Sequence, residues 1–257
     1  MNPNLNQRQQ QILEKVQHAG SVTIDELTEF FGVTPQTVRR DINILCDSGL
    51  LRRFHGGAGL PMSSVENIEY PRRQVMNTEG KRHIAELVAS YIPDRSSLFI
   101  NLGTTTEAVA MALVNHRDLR VITNNLNVAA LLCEQPSFDV IITGGEVRRR
   151  DHGVVGAETA DFIRRFKVDY GIIGISGIDT DGTLLDYDYR EVRVAQAIIE
   201  NSRQVLLVTD HSKFARTPSV RLAHLSDIDV LFTDQEPPAH IREVLSKIDL
   251  EVRIPQS

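Results

Sequence analysis

Two groups of residues in this sequence carry chemistry, and they call for different partners. The first runs through Thr34-Pro35-Gln36-Thr37-Val38-Arg39-Arg40-Asp41-Ile42-Asn43. If Val38 centres the apolar face of a helix turning about 100° per residue, Gln36, Arg40 and Asn43 point the opposite way, with Thr37 and Arg39 on the flanks. Arginine grips guanine O6 and N7, and glutamine grips adenine N6 and N7, so this face suits base edges. Thr34, Thr37 and the helix start suit phosphate oxygens. Arg52, Arg53 and His55, beside Gly56-Gly57, would add a basic wing. Asp41 would repel phosphate, and its expected role is to orient a neighbouring arginine. A three-helix protein-interaction module with solvated arginines fits the same spacing, so both readings stand at this point.

The second group is a series of small polar clusters, each following an apolar run: Asn101-Leu102-Gly103-Thr104-Thr105-Thr106, Thr123-Asn124-Asn125, Thr143-Gly144-Gly145-Glu146, Ser176-Gly177-Ile178-Asp179 and Asp210-His211-Ser212-Lys213. In an open α/β sheet, ligands lie beyond the carboxyl ends of the strands, so parallel strands would bring the five clusters to one crevice. Gly103 lets backbone approach an anion, and Thr104, Thr105 and Thr106 offer hydroxyls and N–H groups at a helix start. Lys213 adds positive charge, Asp179 accepts from sugar hydroxyls, and Asn124, Asn125, Gly144 and Gly145 complete the expected effector pocket. The chemistry is binding of a phosphorylated metabolite.

Other chemistries find no support. No nucleotide-binding loop of the form G-x-x-x-x-G-K-[ST] or G-x-G-x-x-G occurs. Gly174-Ile175-Ser176-Gly177 misses the nucleophile-elbow pattern because Ile178 stands where its second glycine belongs. Asp210, His211 and Ser212 are consecutive and cannot all meet as a triad, so no catalytic residue is expected. Asp179-Thr180-Asp181-Gly182 lacks the remaining ligands of a calcium loop, and a hairpin turn at Asp181-Gly182 is expected instead. No metal and no cofactor are expected, and His18 reads as a surface helix residue.

These residues need elements to hold them. Ile12, Leu13 and Val16 share a helix face ending near Gly20. Thr23 and Glu26 form a capping box for a second helix carrying Leu27, Phe30 and Phe31. Thr34 caps a third helix with Pro35 at its first position, Val38, Ile42 and Leu45 on its buried face, and Gly49 beyond its end. Two short helices around a glycine turn make a helix-turn-helix pattern. Leu50 to Phe54 reads as extended. Residues 61–78, with Pro61 and Pro71, read as an ordered spacer. From about Lys81 the pattern alternates. Strands are expected at 97–100, 120–123, 140–143, 170–175, 205–208, 230–233 and near 250–254. Helices are expected at 107–114, 128–132, 191–201 and 239–247. This predicts a largely parallel sheet covered by helices, hence three parts: 5–60, a linker 61–78, and an α/β unit 79–257.

The sequence of 257 residues has 41% hydrophobic and 24% charged residues, which excludes a disordered or collagenous chain. No apolar run reaches about 18 residues, and the N-terminus lacks the signature of a signal peptide, so neither a membrane partner nor export is expected. Cys46 and Cys133 are far apart and fit a reducing, cytoplasmic setting. The net charge of −6 looks unfavourable for DNA. The deficit lies entirely beyond residue 60, however, and residues 34–53 hold four arginines against two aspartates.

Two stretches bring in a resemblance. Val33-Thr34-Pro35-Gln36-Thr37-Val38-Arg39-Arg40-Asp41-Ile42 with Leu51-Arg52-Arg53-Phe54-His55-Gly56-Gly57-Ala58 resembles the signature of DeoR-type bacterial transcription regulators. Asn101 to Ala110, Thr123 to Ala129, Gly174 to Asp179 and Asp210 to Phe214 resemble the same family's sensor domain. The resemblance spans nearly the whole chain. It implies a winged helix-turn-helix that represses at operator DNA, and an α/β effector-sensing domain related in fold to ribose-5-phosphate isomerases and CoA transferases. It further implies an effector phosphate held by the threonine loop and Lys213, with sn-glycerol 3-phosphate the expected effector and another sugar phosphate the alternative, and a homotetramer. Asn101 departs from the acidic residue common there, which favours binding without turnover over an isomerase.

Overall fold

The computed structural model describes residues 5–19, 21–54, 56–59, 64 and 67–255. The N-terminal unit begins with α1 (Gln7–Ala19), followed by β1 (Ser21–Thr23) and α2 (Ile24–Phe31). The Glu26 N–H donates to Thr23 Oγ1 and the Thr23 N–H to Glu26 Oε2, the capping box expected from the sequence. Gly32 follows with φ +61°, a backbone conformation that glycine adopts without penalty, and so permits the tight turn into α3 (Pro35–Asp47). Thr34 caps α3, with Pro35 in its first turn. Ile12, Val16, Leu27, Val38, Ile42 and Leu45 fill the space between the three helices.

Beyond α3, β2 (Arg52–Phe54) and β3 (Gly57–Gly59) form a wing, and β1 completes an antiparallel sheet in the order β1-β3-β2. A three-residue β1 is too short to show periodicity, and only its pairing to β3 makes it a strand. Within the expected spacer lies α4 (Tyr70–Val75), immediately followed by α5 (Thr78–Tyr91).

The remaining chain runs β4 (Ser97–Ile100), α6 (Thr104–Ala112), β5 (Arg120–Thr123), α7 (Leu126–Leu132), β6 (Asp139–Ile142), a hairpin of β7 (Glu146–Arg148) and β8 (Gly153–Val155), α8 (Ala157–Ile163) and β9 (Val168–Ile173). Next come β10 (Gly177–Ile178), β11 (Thr183–Asp186), α9 (Tyr189–Glu200), β12 (Ser202–Val208), β13 (Val220–His224), β14 (Val230–Phe232), α10 (Ala239–Leu245) and β15 (Glu251–Arg253). Seven strands form one wholly parallel sheet in the order β15-β14-β12-β9-β4-β5-β6.

Alternating side chains of this sheet feed two cores, which is why its strands read as continuous apolar runs. Leu98, Ile100, Leu206 and Val208 pack with Ile84, Val88, Val109 and Val128 of α5, α6 and α7. Phe99, Ile173, Val205 and Leu207 pack with Ile163, Val192, Ile198 and Ile241 of α8, α9 and α10. Each such side chain contributes about 1.5–3 kcal/mol on burial. The expected strand 170–175 ends instead at Ile173, which leaves Gly174 and Ile175 to the loop beyond it.

A smaller antiparallel sheet, β10-β11-β13, sits beside the main one. The turn from β10 to β11 closes through Asp179 N–H to Thr183 O and Gly182 N–H to Asp179 O, as Asp181-Gly182 predicts. The connections reverse direction between β4, which leads toward β5 and β6, and β9, which leads toward β12, β14 and β15. That switch point lies where the loops after Ile100 and Ile173 part.

Candidate DNA-reading face and effector cleft

Asn6, Arg8, Thr34, Gln36, Thr37, Arg39, Arg40 and Asn43 line one polar concavity on the N-terminal unit. Gln36, Arg39 and Arg40 are exposed, and Pro35 stands at the outer rim of the helix start. Ile44, 41% exposed on the same surface, supplies an apolar group of the kind that meets a thymine methyl. Arg53 donates to Asn43 Oδ1, tying wing to recognition helix. Arg52 turns away and donates to Thr217 Oγ1 of the α/β unit over 3.2 Å. His55 lies outside the described residues.

Asp41 is buried and accepts from Arg8 Nε (2.6 Å) and Gln9 Nε2 (3.0 Å), both on α1. The carboxylate therefore orients an arginine, from a different helix, and in doing so brings Arg8 to the DNA-reading face. Sequence reasoning missed Arg8 and Gln9. The signal was Asp41 itself, three residues after Val38 and hence near the buried face, where a carboxylate requires donors.

At the switch point of the parallel sheet, a cleft is lined by Gly103, Thr104, Thr105, Ser176, Asp186, Glu191, Lys213 and Arg73, among others. Gly103 has φ +143°, which glycine alone adopts readily and which swings the loop into α6. Thr106 is not among the residues lining the cleft. Its hydroxyl is buried and bonds the carbonyls of Asn101 (2.8 Å) and Gly103 (2.7 Å), holding the loop closed. Next to the cleft is a recess shared by Arg73, Lys81, Thr104, Asp210, Lys213 and Arg216.

Four cations thus surround one buried carboxylate. Burial works against the charged form of Asp210, but Lys213, Arg216 and the Ser212 hydrogen bond outweigh it and hold the carboxyl at about 2. Burial pushes the Lys81 ammonium down to about 8, with Arg73 and Arg216 adding to the effect. Burial likewise lowers Lys213, reinforced by Arg216, Arg73 and Lys81. Arg73 Nε and Arg216 Nη1 are buried without a hydrogen-bond partner among the described residues. The site is short of negative charge and of acceptors, which a phosphate supplies together.

Arg73, Lys81 and Arg216 were not anticipated. Arg73 belongs to the stretch read as spacer, and α4 is fixed to the α/β unit by Tyr70, whose hydroxyl donates to Glu107 (2.7 Å) and accepts from Asn127 (2.9 Å). The remaining expected effector residues are placed elsewhere. Asn124 donates to Val154 O, and Asn125 caps α7 and donates to Glu107. Gly144 O accepts from Thr159, and Gly145 packs against Thr159 and Val154. Asp179 braces the β10–β11 turn through Thr180 N–H. None of these five lines the cleft: Asn124 and Gly145 are spent on β8, Asn125 on α7 and Glu107, Gly144 on α8, and Asp179 on the β10–β11 turn.

The cleft lining also carries two carboxylates, Asp186 and Glu191. Asp186 Oδ1 accepts from Ser176 Oγ (3.1 Å) and Tyr187 N–H (2.6 Å). Burial, followed by the Glu191 charge, raises its carboxyl to about 7. Glu191 is held by Arg148, which also grips Asp151 in a two-pronged bond and reaches Asp188. Arg73 joins this group at 3.7 Å from Asp151.

Residues 8–64 match the DeoR-like helix-turn-helix domain, and residues 76–235 match the DeoR C terminal sensor domain. Over 248 residues the chain is 50% identical to a glycerol-3-phosphate regulon repressor of Escherichia coli, covering 96% of this chain and 98% of that one. It is also 50% identical over 246 residues to a protein of the same name from Haemophilus influenzae, covering 95% and 96%. Among solved structures, ribose 5 phosphate isomerase A from Neisseria gonorrhoeae is similar over 52% of each chain, with a TM-score of 0.36 and 17% identity.

Proposed function

We propose, from the premise that this chain belongs to the DeoR family of transcription regulators and is a DNA-binding repressor, that sn-glycerol 3-phosphate releases it from operators governing glycerol metabolism. The observation that carries this reading is the recess where Arg73, Lys81, Lys213 and Arg216 gather about Asp210, with Arg73 Nε and Arg216 Nη1 lacking a hydrogen-bond partner among the described residues. The effector phosphate sits there, with Gly103, Thr104 and Thr105 at its side. Gln36, Arg39, Arg40 and Asn43 read base edges, Arg8 adds a phosphate contact, and Thr34 and Thr37 fix the register.

The transmitter is the segment that both units share. Arg73 rides on α4, directly after the N-terminal unit, and reaches the effector site. Arg216 precedes Thr217, which Arg52 of the wing contacts, and Ser219 N–H donates to Ser64 O over 3.1 Å. An anion drawing on Arg73 and Arg216 therefore changes both connections to the DNA-binding unit. A ~100-fold difference in effector affinity between the two states corresponds to about 2.7 kcal/mol of coupling. The effector is bound without turnover, and a cytoplasmic homotetramer pairs recognition helices to operator half-sites.

The test is operator release titrated in parallel with glycerol 3-phosphate, fructose 1-phosphate and deoxyribose 5-phosphate. Release by glycerol 3-phosphate at the lowest concentration supports the assignment. Release by another of the three alone moves the effector and keeps the repressor. Turnover of ribose 5-phosphate contradicts binding without catalysis.

A further inference from the structure

The cleft is lined by two chemically opposite groups: the cations Arg73 and Lys213 with the threonine loop, and the carboxylates of Asp186 and Glu191. Asp186 is 4% exposed and lines the cleft. Its Oδ1 is engaged by Ser176 and Tyr187, whereas its Oδ2 accepts no hydrogen bond among the described residues. Glu191 presents a similar arrangement, with Oε2 taken by Arg148 and Oε1 accepting no hydrogen bond among the described residues. A ligand anchored by its phosphate beside Lys213 therefore shares the cleft with carboxylate acceptors.

Resting on the phosphate site proposed above, we propose that Asp186, backed by Glu191, reads the carbon skeleton of the effector. It selects a phosphorylated polyol and rejects a phosphorylated carboxylic acid. The polyol's hydroxyls donate to Asp186 Oδ2 and Glu191 Oε1, whereas a carboxylate there meets the Glu191 charge, joined by that of Asp186 as it ionises. Ser176 is a positioning residue, since its hydroxyl fixes the Asp186 carboxylate. A bisphosphorylated ligand is rejected for the same reason as the acid.

The experiment is calorimetric titration of the full chain with inorganic phosphate, sn-glycerol 3-phosphate and 3-phosphoglycerate, for the wild type, Asp186→Asn and Ser176→Ala. The wild type is expected to bind glycerol 3-phosphate at least about tenfold more tightly than 3-phosphoglycerate. Asp186→Asn is expected to shrink that ratio about tenfold while leaving inorganic phosphate within about twofold. Ser176→Ala shrinks it less, and in the same direction. An unchanged ratio in Asp186→Asn overturns the inference while the phosphate site stands. Failure of the wild type to bind either inorganic phosphate or glycerol 3-phosphate overturns both.

Discussion

Arg8 on the first helix donates from Nε to Oδ2 of Asp41 on the recognition helix over 2.6 Å, with the aspartate side chain 5% exposed and the arginine 33%. A carboxylate on the DNA-reading helix is thereby turned inward, and a cation from another helix is turned outward. Asp41→Ala is expected to destabilise the N-terminal unit by about 1–3 kcal/mol, the lower part of the range for broken charged hydrogen bonds because Arg8 is partly solvated. Arg8→Ala leaves the buried Asp41 carboxylate with Gln9 alone, so it should cost at least as much in denaturation and also weaken operator binding with a reduced salt slope. Equal stability of Asp41→Ala and wild type would show that the pair is not structural.

Arg40 is exposed at the centre of the reading face. Arg40→Ala should lose about 1–3 kcal/mol of discrimination between operator and unrelated DNA. Effector affinity, measured in the absence of DNA, should stay unchanged. Parallel loss of both would make Arg40 a structural residue.

At the proposed phosphate site, Lys81 predicts a pH dependence of effector binding with a defined sign. Its ammonium is held at about 8, so it is charged below that pH and neutral above it. A phosphate monoester is already dianionic above about pH 6. Affinity for glycerol 3-phosphate should therefore be greatest between those limits and fall as pH rises through 8. Lys213, also lowered by burial, acts in the same direction. Lys81→Met should bind more weakly at pH 7 and show a flatter decline, as titration calorimetry at several pH values can establish.

Asp186 affects stability in the opposite sense from most carboxylates. Its folded-state value of about 7 lies above that of an ordinary aspartate. Its contribution is therefore fully present below about pH 4 and is lost as pH rises through 7. Asp186→Asn should raise Tm relative to wild type more at pH 8 than at pH 4. A gain independent of pH would mean that the carboxyl is ionised throughout, with no penalty from burial.

What was legible in the sequence was local or periodic. The Thr23–Glu26 capping box, Pro35 behind Thr34, and the apolar run Ser97–Ile100 each encode their element within a few residues. The threonine loop and Lys213 were legible as cleft residues because both follow the carboxyl ends of parallel strands, β4 at the switch point and β12 one strand from it. Arg73, Lys81 and Arg216 were not, because only the docking of α4 and α5 brings them to Asp210. The start of α5 hides itself further: Gly80 and Lys81 are both buried, and a Cβ at Gly80 would meet Asp234 Oδ2 at 2.5 Å, so no apolar stripe marks that turn. Asn124 and Gly145 show the converse, since loop chemistry suited to a ligand is spent on holding the backbone.

The central claim is that phosphate at the cationic recess controls operator affinity, and Lys213→Met tests it most directly. Operator affinity is measured for wild type and variant, each with and without saturating glycerol 3-phosphate. The wild type should lose about 100-fold in affinity on adding effector, while the variant should bind operator as the wild type does and stay bound. Equal release of the variant by the same concentration of effector would contradict the account.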